Sequence, residues 1–103
     1  MNWYVVATKP NCENKAVSNL LFQEFECYLP YILVRRSHAR RAHMVRRPLF
    51  SGYVFVRLEP EFARWRSING TMGVVHILTS NGGPQPLRNG FIDALRAREA
   101  NGV

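Results

Sequence analysis

Cysteine is almost missing from this sequence: Cys12 and Cys27 are the only two in 103 residues. They could close at most one disulfide, and they have neither the paired spacing of a zinc site nor a CxxC redox motif. Both therefore read as reduced, small apolar side chains of the interior. No apolar run approaches the roughly 20 residues that a membrane-spanning helix needs, and Met1-Asn2-Trp3-Tyr4 lacks the basic start of a signal peptide. A soluble, cytoplasmic protein that engages no membrane is expected. Gly-rich phosphate loops, a dinucleotide fingerprint, internal repeats and low-complexity tracts are also missing. No nucleophile stands with a base, no carboxylates pair by spacing, and no ligand set gathers for a metal. The sequence reads as a non-enzyme with no cofactor.

Acids are scarce as well: seven against 14 Lys and Arg, for a net charge of +7. The segment from Arg35 to Arg47 contains no acid at all, but six Arg and two His. It carries +6, so the rest of the chain is close to neutral. One concentrated cationic element on a balanced domain suits a polyanion such as DNA or RNA, because neutralising phosphates releases condensed counterions. Arginine's planar fork favours bidentate phosphate contacts and stacking on unpaired bases over mere solvation.

What is present is enough for one core. The chain is 47% apolar with six Phe, four Tyr and two Trp, and its length matches a single domain. Trp3–Thr8 is rich in aromatic and β-branched residues and is stopped by Lys9-Pro10, which predicts a first strand. Asn11 is placed to cap a helix running from Cys12 to about Phe25, in which Ala16, Val17, Leu20, Leu21 and Phe25 fall three and four apart. Cys27–Val34 reads as a second strand with Pro30 at an edge or bulge. Arg35–Arg47 then forms an extended, exposed hairpin leading to Leu49–Leu58, the strongest strand signal. Alternation there puts Phe50, Val54, Val56 and Leu58 on one face and Leu49, Tyr53 and Phe55 on the other. Both faces carry apolar weight, which fits either a strand covered on both sides or a sheet offering one apolar patch to a partner.

Pro60 is placed to open a short helix carrying Phe62, Trp65 and Ile68, ended by Asn69-Gly70. Val74–Leu78 predicts a fourth strand, and Asn89 a cap for a last helix with Phe91, Ile92 and Leu95. The expected class is α+β, a four-stranded mostly antiparallel sheet with helices on one face. His38 and His43 sit among arginines that would repel a metal cation, so phosphate proximity suits them better than ligation. His76, in a strand, reads as a satisfied structural histidine.

Three ordered blocks carry a resemblance: Trp3-Tyr4-Val5-Val6 before a helix, Pro48-Leu49-Phe50-Ser51-Gly52-Tyr53-Val54-Phe55-Val56, and Ile68-Asn69-Gly70-Thr71-Met72-Gly73-Val74. Residues 3 to 97 resemble the N-terminal (NGN) domain of the NusG/RfaH family of transcription elongation and antitermination factors. The third block is more similar to the specialised antiterminator paralogues than to housekeeping NusG. The resemblance implies a monomer that binds RNA polymerase, bridges its DNA channel and suppresses pausing. It implies an apolar patch for the clamp helices of the largest subunit, matched by Phe50, Tyr53, Phe55, Ile92 and Leu95.

Arg64, Trp65, Arg66 and Ser67 stand where family members touch the polymerase gate loop, though the paralogues carry His and Thr there and Trp65 also suits the core. Lys9, Lys15, Asn19 and Thr71 match the patch with which the paralogues read non-template DNA in the transcription bubble. Met72 replaces a frequent Arg in that patch. Arg35, Arg36, Arg40, Arg41, Arg46 and Arg47 are assigned to phosphate contacts that position without specifying, for which upstream duplex is an alternative to the bubble. Residues 1–98 correspond to the NGN domain and 99–103 to the start of a linker, with the family's KOW domain outside these residues. A rival reading is a stand-alone RNA-binding α+β module, stacking bases on Tyr53 and Phe55; Val5 and Ala7 offer it no second stacking strand.

Overall fold

A computed structural model describes residues 1–59 and 64–100, the last as backbone only. The elements in chain order are β1 (Asn2–Thr8), α1 (Glu13–Phe22), β2 (Glu26–Tyr28), β3 (Tyr31–His38), β4 (Arg41–Pro48) and β5 (Tyr53–Leu58). There follow α2 (Arg66–Asn69), β6 (Val74–Ile77), β7 (Thr79–Ser80), β8 (Gly83–Pro84) and α3 (Phe91–Ala100). Strands β2, β5, β1 and β6 form, in that order, a four-stranded sheet whose neighbours are all antiparallel. This is the expected α+β class.

Alternation along β1 and β5 sends Tyr4, Val6, Val54, Val56 and Leu58 to one face, where they meet Ala16 and Leu20 of α1 and Ile68 of α2. Phe25 joins them because α1 stops at Phe22, short of the expected boundary. Glu24 then takes a left-handed conformation, φ 70°, that drops Phe25 into the core. Asn11 is not the cap. It too is left-handed, φ 58°, and Cys12 occupies the cap position without a side-chain bond. The buried Glu13 carboxylate instead accepts the Gly52 N–H at 2.8 Å, tying the helix start to the turn before β5.

The helices do not all share one face. α1 and α2 do, but α3 crosses the opposite face, meeting Trp3, Tyr28 and Phe55. Strand β6 pairs only with Val6–Thr8, leaving the first half of β1 open on that edge. The chain after β8 fills the gap through a Tyr4–Pro86 bridge and a Leu87 N–H to Trp3 carbonyl bond of 2.9 Å. From there α3 covers an apolar surface that would otherwise face water.

The expected second strand is split at Pro30. Its first part, β2, joins the sheet, whereas Tyr31 onward turns away with β4 into a separate two-stranded ribbon. Pro30 has no N–H for the ladder, but its carbonyl accepts the Leu49 N–H at 2.8 Å and closes the base of the ribbon. Pairing then runs unbroken from Tyr31 opposite Pro48 to His38 opposite Arg41. At the tip Ala39 and Arg40 are both left-handed, φ 52° and 66°, as a two-residue I′ turn requires. The ribbon makes few contacts with other elements. Pro60 and Phe62 lie outside the described residues. α3 runs through Ala100, two residues beyond the boundary drawn at 98.

Gly73 shows why the β6 approach is narrow. Its φ is +90°, and a Cβ there would stand 3.1 Å from the Ala16 nitrogen and 3.4 Å from the Cys12 carbonyl oxygen. Gly73→Ala should cost about 2 kcal/mol, combining left-handed strain with a clash against helix backbone. Gly52→Ala, equally left-handed but with nothing within 4 Å, should cost about 1 kcal/mol. Thermal denaturation of the two variants should differ by several degrees, roughly 4–8 °C per kcal/mol at this size.

Candidate functional site

The second face of the sheet is built around Phe55. Its ring contacts those of Tyr28, Phe50 and Phe91 at centroid distances of 6.3, 5.9 and 6.1 Å. Phe50 comes to this side because it precedes β5, in a turn where Gly52 adopts φ 86° and resets the alternation. The expected placement of Phe50 with Val54 is thereby corrected. Phe55 itself is 4% exposed and Ile92 2% exposed, so neither is a surface anchor. Phe55 lies beneath the surface because α3 crosses over it, and Ile92 is buried as part of that helix. What stays open is a shallow apolar depression of about 240 Å³, lined by Val5, Phe50, Tyr53, Phe55, Leu87 and Phe91. Tyr53, Phe50 and Phe91 form its rim at 42, 38 and 38% exposure. Leu95 lies elsewhere, in a second apolar hollow of about 250 Å³ between α3 and the ribbon base, with Pro30, Ile32 and Leu49.

Val5, Leu87 and Phe91 were not legible as site residues. Phe91 had a signal, since it opens the last helix one residue before the buried Ile92, but only the docking of α3 shows which of the two faces out. Arg96 fastens that helix: its guanidinium lies 5.0 Å from the Trp3 ring and 4.9 Å from the Tyr28 ring. The Tyr28 hydroxyl donates to Glu99 Oε1 at 2.6 Å.

The cationic candidates divide. Arg35, Arg36, Arg40, Arg41, Arg46 and Arg47 are all exposed on the ribbon, with Arg46 stacked 4.1 Å above the Tyr31 ring. Lys9 and Lys15 are exposed as well. Thr71 is 7% exposed; its hydroxyl donates to the Ser67 carbonyl at 3.0 Å and accepts from Gln23 Nε2 at 2.7 Å. That side chain holds the turn before β6 and has no surface to offer a nucleic acid. Asn19 Nδ2 donates to the Met72 carbonyl at 3.1 Å, another bond to the same turn. Around the short helix, Arg64 and Arg66 are exposed, Arg64 bonding the Gln23 carbonyl and Arg66 lying 4.4 Å from the Trp65 ring. Trp65 packs against the core, and the Ser67 hydroxyl donates to the Arg64 carbonyl. His76, read as a satisfied structural histidine, is exposed on β6.

Residues 1–96 match the family described as transcription termination factor NusG. The chain belongs to the NusG family. Among solved structures, one concerned with domain interaction in Thermotoga maritima NusG is similar at 23% identity and a TM-score of 0.58. The match covers 85% of this chain and 51% of that one. The chain thus spans about half the length of that relative, and likeness at this identity supports the α+β fold. The family is one of transcription factors, and residues 1–96 of this chain form a domain of that family.

No helix among the described residues of this NusG-family chain is long and apolar enough to cross a membrane. Both cysteines are free, and burial, helped by the Glu26 charge, pushes the Cys27 thiol up to about 11. Tyr28 is pushed up to about 12, by burial first and then by its bond to Glu99 and that group's charge, with Arg96 opposing. Because the folded state holds this proton more tightly, the associated stability is complete below the ordinary tyrosine value of 10.0 and is lost as pH rises towards about 12. Denaturant titrations across that window should show wild type losing more stability than Tyr28→Phe. Parallel curves would mean that the Tyr28–Glu99 bond does not hold α3.

Proposed function

We propose that this domain binds RNA polymerase through the apolar depression rimmed by Phe50, Tyr53 and Phe91, seated on the clamp helices of the largest subunit. The observation that carries the reading is that three aromatic rings, one on the central strand β5, one in the turn before it and one at the start of α3, stay exposed around an apolar hollow beside a covered core. Aromatic anchors over an apolar hollow are the usual energetic centre of a protein interface. Phe55 and Ile92 then act from beneath, holding the rim rings in place, and Leu95 extends the surface towards the ribbon base. Arg64 and Arg66 on the other side are available to the gate loop.

Bound in this way, as a monomer in the cytoplasm, residues 1–98 would bridge the DNA channel, suppress pausing and favour elongation or antitermination without covalent chemistry. Lys9, Lys15 and the ribbon arginines supply phosphate contacts to DNA at the transcription bubble or its upstream flank. Thr71 and Asn19 are bonded to the protein itself, so a base-reading role does not fall to them. A free-standing RNA-binding module is disfavoured because α3 lies across the aromatic face on which bases would stack.

The test is capture of RNA polymerase by the domain, with an isolated clamp-helix fragment as competitor. Tyr53→Ala should weaken capture by about 2 kcal/mol or more while the fold persists. Phe55→Ala, at a buried position, should instead cost about 3–5 kcal/mol of stability. Undiminished capture by Tyr53→Ala, or failure of the fragment to compete, would remove the clamp-helix assignment.

A further inference from the structure

The ribbon's register divides its charge unevenly between two faces. Residues directly opposite in an antiparallel pair share a face, and alternate residues along a strand share it too. One face therefore carries Arg36, His38, Arg41, His43 and Arg47, and the other carries Arg35 and Arg46. Towards the tip the contrast sharpens. His38 stands opposite Arg41 and Arg36 opposite His43 on the first face, while the second offers Ser37 opposite Ala42 and Arg35 opposite Met44. Arg46 is moreover folded back over Tyr31 near the base. The outer half of the ribbon thus carries two arginines and two histidines on one side and a single arginine, Arg35, on the other, although both sides are open to solvent.

We propose that the β3–β4 ribbon docks on duplex DNA through one face, with Arg36, Arg41 and Arg47 on phosphates and His38 and His43 between them. The proposal rests on reading the ribbon as a nucleic-acid contact and deepens it by naming the face and the form of the DNA. A two-stranded ribbon fits the major groove of B-form DNA, about 12 Å wide. A diffuse cationic cloud would have no reason to be sided, because exposed charges on either face reach a flexible single strand equally well. A rigid ribbon lying against a duplex presents only one face to the phosphates.

Neighbouring residues give the test. Arg35→Gln and Arg36→Gln remove the same charge one position apart but from opposite faces. Each phosphate contact contributes a slope of about −0.9 to log affinity against log salt, so losing one weakens duplex binding about eightfold at 0.1 M salt. Fluorescence anisotropy with a random-sequence duplex should show that loss, and the shallower slope, for Arg36→Gln. Arg35→Gln should stay within about twofold of wild type at an unchanged slope. The pairs Arg36→Gln/Arg41→Gln and Arg35→Gln/Arg46→Gln should widen the gap, with circular dichroism confirming that all four variants fold. Equal losses on the two faces would overturn the one-faced dock, as would tighter binding to a single strand of the same sequence or no binding to DNA at all. No polymerase is present in this assay, so failure of the clamp-helix reading shows separately, as lost capture.

Discussion

Because side chains alternate along β5, Val54, Val56 and Leu58 enter the main core while Tyr53 and Phe55 emerge on the other side of the same sheet. A strand with β2 on one side and β1 on the other cannot turn that second set away from water by itself. Something must be laid over it. α3 does so in part: Ile92 is buried, Arg96 spreads over Trp3 and Tyr28, and Glu99 takes the Tyr28 hydroxyl. Where the helix begins, cover runs out. Phe50, Tyr53 and Phe91 remain exposed around a hollow floored by Val5 and Phe55. The exposed aromatic rim and the helix beside it are thus two answers to one constraint, an excess of apolar side chains on a strand that needed only one apolar face.

That constraint explains which parts of the site were legible beforehand. The strand and its two-faced pattern stand in the sequence, as do the first helix and the cationic hairpin, because each rests on local periodicity or composition. The side of the sheet taken by α3 does not. It depends on the short β6 leaving half of β1 open, so that Pro86 and Leu87 can reach Tyr4 and Trp3 and steer the chain across. Residues whose role depends on that route were misassigned: Phe55 and Ile92 read as surface anchors and are buried, while Phe91 was passed over and is exposed. Thr71 and Asn19 went astray for a similar reason. A small polar residue beside a glycine turn suits a ligand and a structural bond equally, and only the nearness of Gln23, Ser67 and Met72 decides for the bond.

The ribbon obeys different physics. With little core to serve, its residues are free to be charged, yet six arginines on one small element raise the question of what keeps it paired. The register supplies an answer. Arg35 faces Met44, Arg36 faces His43, Arg46 faces Leu33, Arg47 faces Ile32 and Arg41 faces His38. No two arginines stand directly opposite, the placement in which like charges are most destabilising. Arg35 with Arg46 and Arg36 with Arg41 fall instead on diagonals, roughly 7–8 Å apart between Cα atoms, where water and salt at ordinary strength screen most of the repulsion. Three of the arginines, Arg35, Arg46 and Arg47, stand opposite the apolar Met44, Leu33 and Ile32, an arrangement that lets a long aliphatic stem cover apolar surface while its charged head stays in solvent.

A ribbon arranged in this way can be paired before any polyanion reaches it, and the ordering entropy of its backbone is not charged against binding. The left-handed tip at Ala39 and Arg40 stands against that economy, since residues with a Cβ are strained there and Asn-Gly would suit the turn better. Glycine at the tip would relieve the strain but remove a cation from the end that projects farthest. Keeping Arg40 gives up some turn stability to hold charge at the point that meets a partner first. On the proposed reading, long-range attraction at the ribbon and short-range apolar contact at the Tyr53 rim would act in sequence, the first steering approach and the second holding the complex.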